Sequence, residues 1–211
     1  MGERHAQSRR RASLIAMPEA SIAAIILAAG ASTRFGSPKQ LLNWRGQPLL
    51  RHVILQALAA PVGEIIVVLG AHYARVAPIT HGLPVLLAYN SHWRAGLGGS
   101  VGLGLRALRQ DAAAAIFLVA DQPGVTSQLI TRILRAHIET RAPIVAPRSQ
   151  RRPGNPVLFA RSHFSELMQA SGDLGGRALL RRYPQHIHWV QADDGALVDI
   201  DYPRDLDQTG A

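Results

Sequence analysis

Cysteine is absent from all 211 residues. That excludes disulfides, zinc-thiolate sites and a thiolate nucleophile, and it leaves oxygen and imidazole as the available metal ligands. Aromatic residues make up only 5%, poor material for stacking bases. The basic runs Arg9-Arg10-Arg11, Arg151-Arg152 and Arg181-Arg182 are short and scattered. The net charge of +9 therefore reads first as a solvated surface and second as cations gathered around a small polyanion. A nucleic-acid surface comes third, and no nucleic-acid partner is expected. No apolar run approaches the roughly 20 residues that cross a bilayer, so no membrane partner is expected either. The nine histidines show no ligand spacing such as H-E-x-x-H.

Hydrophobic residues reach 47% against 18% charged, ordinary for a chain that buries a real core. Residues 22–211 read as one domain. Residues 1–21 read as a disordered leader, with Met17 as an alternative start. The leader's apolar stretch Leu14-Ile15-Ala16-Met17 is too short for an export signal and stops at Pro18-Glu19, so a cytoplasmic location is expected. Three continuous apolar runs, at 22–28, 64–69 and 115–120, read as strands buried on both faces. Between and after them, residues 48–58, 101–109 and 127–139 carry helical spacing, the last with Ser127 as its cap. The second half is looser, with strands expected at 143–146 and 156–159 and helices at 162–170 and 177–183. The alternation gives right-handed βαβ units, hence a Rossmann-like α/β fold with a mostly parallel sheet. Ligands of such sheets bind beyond the carboxyl ends of the strands; the three buried strands here end at Gly30, Gly70 and Asp121, and two of these ends carry unusual chemistry.

The first of these ends is Leu27-Ala28-Ala29-Gly30-Ala31-Ser32-Thr33-Arg34-Phe35-Gly36-Ser37-Pro38-Lys39-Gln40-Leu41-Leu42. Its small residues let backbone N–H groups approach phosphate oxygens, and Arg34 and Lys39 supply a fork and a point charge for a triphosphate. The loop lacks the G-K-S/T of a Walker A motif. It also lacks G-x-G-x-x-G, since Ser32 stands two residues after Gly30, which counts against a nicotinamide dehydrogenase. A surface turn with two incidental cations is the plainer alternative. Asp121-Gln122-Pro123 follows a buried strand, where an aspartate faces the phosphate loop and is placed to hold a hard cation. A turn-forming aspartate is the alternative there.

The pattern L-A-A-G-x-S-x-R-x-G-x-x-K-x-L-L resembles the signature loop of the MobA-like nucleotidyltransferases, and within them the molybdenum cofactor cytidylyltransferases. The likeness runs from Ile22 to Leu206. It departs at Phe35, where methionine is usual, and at Asn43, where proline often follows the leucine pair. The resemblance implies a three-layer, nucleotide-diphospho-sugar-transferase-like sandwich. It also implies that Leu27, Ala28, Ala29, Gly30, Ser32, Arg34 and Lys39 bind the nucleotide, with Asn90, Gly99 and Ser100 near base and ribose. Arg34, Lys39 and Asp121 would carry catalysis, with Mg2+ held by Asp121 and Asp199. Asp201 is the competing second ligand, and it is also a candidate cap for the helix after it. Arg152, Gly154, Asn155, Pro156, Gly172, Asp173, Gly176 and Arg177 would face the acceptor; two ordinary glycine turns are the alternative.

The implied reaction moves CMP from CTP to the phosphate of the molybdenum cofactor, releasing pyrophosphate. A molybdenum hydroxylase or its maturation chaperone is the implied partner. Competing readings are a transferase acting on a sugar phosphate or another phosphorylated small molecule, and a non-catalytic nucleotide-binding cofactor chaperone.

Overall fold

The computed structural model describes residues 22–150, 152–169, 172 and 175–208. The expected leader, 1–21, and the candidate Asp173 lie outside them. Along the chain, β1 (Ile22–Ala28) leads into a small hairpin, β2 (Asn43–Trp44) and β3 (Gln47–Pro48), and then α1 (Leu49–Leu58). Next come β4 (Ile65–Leu69), the single turn α2 (Tyr73–Val76), β5 (Leu86–Tyr89), α3 (Leu97–Arg106), β6 (Ala114–Val119) and α4 (Ser127–Thr140). The second half holds β7 (Ile144–Arg148), β8 (Val157–Ala160), α5 (Phe164–Gln169), α6 (Gly175–Arg182) and β9 (Ile187–Gln191).

Seven strands form one sheet in the order β5-β4-β1-β6-β8-β7-β9. Only β8 runs against its neighbours; the other pairings are parallel. Strand alternation divides the core. Ala24 and Ile26 of β1 pack with Leu50, Ile54, Ile130 and Ile133 from α1 and α4. Ile25 and Leu27 pack on the other face with Val101, Leu105, Leu167 and Leu179 from α3, α5 and α6. All seven residues of β1 are buried, as a central parallel strand requires, and each large aliphatic so buried stabilises the fold by about 1.5–3 kcal/mol. The result is the expected three-layer α/β sandwich.

Three local expectations need correction. Helix α3 begins at Leu97, four residues before the apolar spacing starts. Its glycines obscured it, and one of them is a packing device: a Cβ on Gly104 would lie 2.6 Å from the Ile25 side chain. The cap of α4 is Thr126, whose hydroxyl accepts the Leu129 N–H at 3.3 Å, while Ser127 is already helical. Strands β5 and β9 complete the sheet edges and were not expected.

Candidate active site

The loop after β1 is stapled to the turn that carries Lys39. Ser32 adopts a left-handed backbone, φ 56°, and its Oγ accepts the Lys39 N–H at 3.1 Å. The buried Gln40 amide donates to the Ala28 and Gly30 carbonyls at 2.9 and 3.0 Å. With those carbonyls tied down, the loop is held in one conformation beside the strand end. The stem of Lys39 is thereby fixed next to the loop that the sequence assigns to phosphate.

Asp121 follows β6, adjacent to β1 in the sheet. Its backbone carbonyl accepts the Ile200 N–H at 2.9 Å, which sets the C-terminal segment alongside. Ile200 is fully buried with Trp44 and Leu49, while Asp199 and Asp201 on either side of it line a cavity of about 850 Å³. Lys39 Nζ reaches Asp121 Oδ2 at 2.8 Å and Asp201 Oδ1 at 3.0 Å. Burial alone would lower the Lys39 pKa, but Asp121 and Asp201 together outweigh it and the net shift is upward, so the ammonium stays charged. Arg34 stands at the rim, 3.9 Å from Asp201. It is well exposed and gains little from that pair.

Asp199 accepts a hydrogen bond from Gln122 Nε2 at 2.7 Å. Burial first, and then the Asp121 carboxylate, push its pKa up, against smaller opposing pulls from Gln122 and Arg152. A carboxyl whose folded pKa lies above its unfolded value loses stability as pH rises through that interval. Asp199→Asn removes the charge and keeps the shape. We expect it to melt higher than wild type at pH 7 in chelator, with the gain shrinking as pH falls into the ordinary carboxylate range. Thermal melts across that pH range check this, and an unchanged or lower Tm at pH 7 refutes it.

The cavity wall includes Leu27, Ala28, Ala29, Gly30, Ser32, Arg34, Lys39, Ser100, Asp121 and Asp199. From the acceptor set it includes Arg152, Gly154, Asn155, Gly176 and Arg177. Asn90, Gly99, Pro156 and Gly172 lie outside the wall. Asn90 works behind it, donating to Ser100 Oγ at 2.9 Å and accepting the His92 N–H at 2.9 Å. Arg152 is committed to the Leu197 carbonyl at 2.6 Å. Asp201 is not seen capping the helical turn after it; instead Asp205, inside that turn, reaches back, its Oδ2 accepting the Asp201 and Tyr202 N–H groups at 2.8 and 2.7 Å.

Residues on the cavity wall that the sequence did not single out for the site include Gln40, Trp93, Phe117, Phe159 and Arg181. Arg181 was visible only as part of a basic run. Gln40 gave no signal beyond its place between Lys39 and the apolar Leu41-Leu42 pair. Among the described residues no group of three or more histidine or acidic side chains is arranged to hold a metal.

A model of the MobA-like NTP transferase domain matches residues 24–187. Nicotine blue oxidoreductase of Paenarthrobacter nicotinovorans is 31% identical over 185 residues, covering 82% of this chain and 88% of that protein. The bifunctional enzyme IspD/IspF of Novosphingobium aromaticivorans is 29% identical over 184 residues, 85% of this chain and 44% of that enzyme. The chain thus spans under half of the second relative. The crystal structure of Rv0371c from Mycobacterium tuberculosis H37Rv matches with a TM-score of 0.81 at 26% identity, over 92% of this chain and 100% of that one. The complex of the same protein with manganese matches at TM-score 0.77 and 25% identity, over 90% and 97%. The first relative carries a redox name, but the loop at 27–40 here has no dinucleotide glycine fingerprint. It ends instead in a lysine held against a strand-end aspartate. On the domain match and that arrangement, the chain belongs to the MobA-like NTP transferase family and is a nucleotidyltransferase.

Proposed function

We propose that this nucleotidyltransferase moves CMP from CTP to the phosphate of the molybdenum cofactor, with pyrophosphate leaving. The observation that carries the transfer chemistry is the meeting of Lys39 with Asp121 at the carboxyl end of the sheet, beside a loop of small residues. The cytidylyl and molybdopterin assignments rest on the signature-loop resemblance.

The donor set fits a hard divalent cation. Asp121 and Asp199 offer one carboxylate each, the number magnesium usually takes from protein when phosphates supply the rest. In the free protein Asp121 already holds a cation, the Lys39 ammonium. Magnesium, when bound, supplies charge neutralisation to the reacting phosphates. The remaining work falls to the chain. Backbone N–H groups of 28–32 cradle the triphosphate, and Lys39 and Arg34 stabilise charge on the α-phosphate and the leaving group. Arg177 and Arg181, on the cavity wall, orient the acceptor phosphate. That nucleophile is already ionised at neutral pH, so no general base is required and catalysis is positioning plus electrostatics.

Ala29 is the basis for the base preference. It is buried in the turn where the nucleotide would enter, with its carbonyl fixed by the Ala71 N–H at 3.0 Å. The resemblance places alanine here in cytidylyl enzymes and glycine in guanylyl ones. A methyl at this turn narrows the space against a purine, giving an expected preference for CTP over GTP of roughly 10–200-fold. The experiment is pyrophosphate release from each nucleoside triphosphate with magnesium and molybdenum cofactor, scored as the ratio of kcat/KM. GTP equal or ahead removes the cytidylyl assignment.

A second reading, transfer to a sugar phosphate or other phosphorylated alcohol, is favoured by the relationship to the IspD/IspF enzyme and by the breadth of the cavity. Replacing the acceptor in the same assay separates the two. The charged centre, complete in Lys39, Asp121 and Asp199, speaks against a non-catalytic chaperone.

A further inference from the structure

We propose that Lys39 is a tethered counter-cation that a divalent metal ion has to displace, and that Asp201 is the residue that holds the displaced ammonium. Metal and nucleotide therefore bind as a pair, with the bare metal bound weakly. The inference rests on the transferase reading above.

Three observations lead to it. First, the Lys39 backbone cannot retreat. Its backbone N–H is fixed by Ser32 Oγ, and its neighbour Gln40 is anchored to the Ala28 and Gly30 carbonyls. Only the side-chain torsions are free to move the ammonium. Second, that ammonium lies 2.8 Å from Asp121 Oδ2, a hydrogen-bond contact with the carboxylate that any metal at this centre would use. A divalent ion on Asp121 would sit within a few ångströms of Nζ. Two cations would then compete for one carboxylate in a partly desolvated site, where the Lys39 side chain is only 13% exposed. Third, Asp201 offers Nζ a second acceptor at 3.0 Å. Its backbone position is set from outside the centre, by the bond from its N–H to Asp205.

The consequence is a coupling between ligands. Without nucleotide, a metal must break the Lys39–Asp121 pair and leave the ammonium to Asp201 alone. With nucleotide present, the phosphate oxygens give Nζ a new partner and the opposition falls away. Each ligand then raises the affinity of the other by the same factor. The competing view of Asp201, as a metal ligand, makes a different forecast.

The test is direct binding of Mn2+ alone, followed by electron paramagnetic resonance, to nucleotide-free wild type, Lys39→Met, Asp201→Asn and the double variant. Lys39→Met is expected to bind Mn2+ about tenfold or more tightly than wild type. Asp201→Asn should weaken Mn2+ binding where Lys39 is present, and shift it by less than about threefold in the Lys39→Met background. Wild type binding Mn2+ as tightly as Lys39→Met overturns the counter-cation role. A tenfold or greater loss from Asp201→Asn in the Lys39→Met background makes Asp201 a metal ligand and overturns its assignment. Lys39→Gln, which keeps a neutral hydrogen-bond donor between the carboxylates, serves as the second variant if Lys39→Met folds poorly, with the same outcomes. Asp121→Asn separates the two layers: Mn2+ binding that survives it refutes the metal centre of the transferase reading and the lysine exchange with it.

Discussion

Asp121→Asn is expected to abolish turnover, with a loss of about 1,000-fold or more. Asp199→Asn is expected to fall nearly as far. The two carboxylates stand close enough for the Asp121 charge to raise the Asp199 pKa, which is the arrangement that a shared divalent cation relieves. Groups that act as one unit fail together, so the double variant should be little worse than the poorer single. Single-turnover pyrophosphate release with saturating CTP, magnesium and molybdenum cofactor as acceptor is the measurement. Losses that multiply would mean the aspartates act separately, and activity retained in excess chelator would remove the metal.

Lys39→Ala is the second large effect, with at least about 100-fold lost from kcat as charge stabilisation of the leaving group disappears. A lysine that only bound substrate would leave Tm unmoved on removal, but this one is also tied to two carboxylates of the fold. Lys39 neutralises both Asp121 and Asp201, so its removal leaves two carboxylates facing each other. Their side chains are 30% and 42% exposed, and water will screen much of the repulsion, so the Tm loss should be modest beside the catalytic one. Lys39→Arg should not restore activity, because a planar fork does not fit the gap that a compact ammonium fills. Wild-type kcat in Lys39→Ala would remove its catalytic role; a restored Lys39→Arg would mean charge alone suffices there.

Much of the frame was legible because central parallel strands leave an unmistakable trace. The runs of β1, β4 and β6 are apolar on both faces, and those of β1 and β6 end where the site begins. The sheet edges left none. β5 has Leu86, Leu87 and Tyr89 exposed and only Ala88 buried, so its four residues show no period. β9 is half-buried and carries His188 and Trp189. At the site, Lys39 and Asp121 were recognisable from a glycine loop and a strand end. The tie between Lys39 and Asp201 was not, because it spans 162 residues and exists only once Ile200 is docked in the core. For Asn90, which the resemblance assigns to the nucleotide, the sequence gives no sign of the bond its amide donates to Ser100 Oγ at 2.9 Å.

The contact between the Asp121 loop and the turn before Asp199 bears on how this sequence can drift. A Cβ on Gly124 would run into the Gly195 carbonyl and lie 2.9 Å from Ala196 Cα, backbone that cannot rotate aside. Any side chain at 124 must push away the turn at 194–197, and Asp199 lies only two residues beyond that turn. A larger residue at 124 therefore calls for a compensating change at 195 or 196 if the turn before Asp199 is to keep its place.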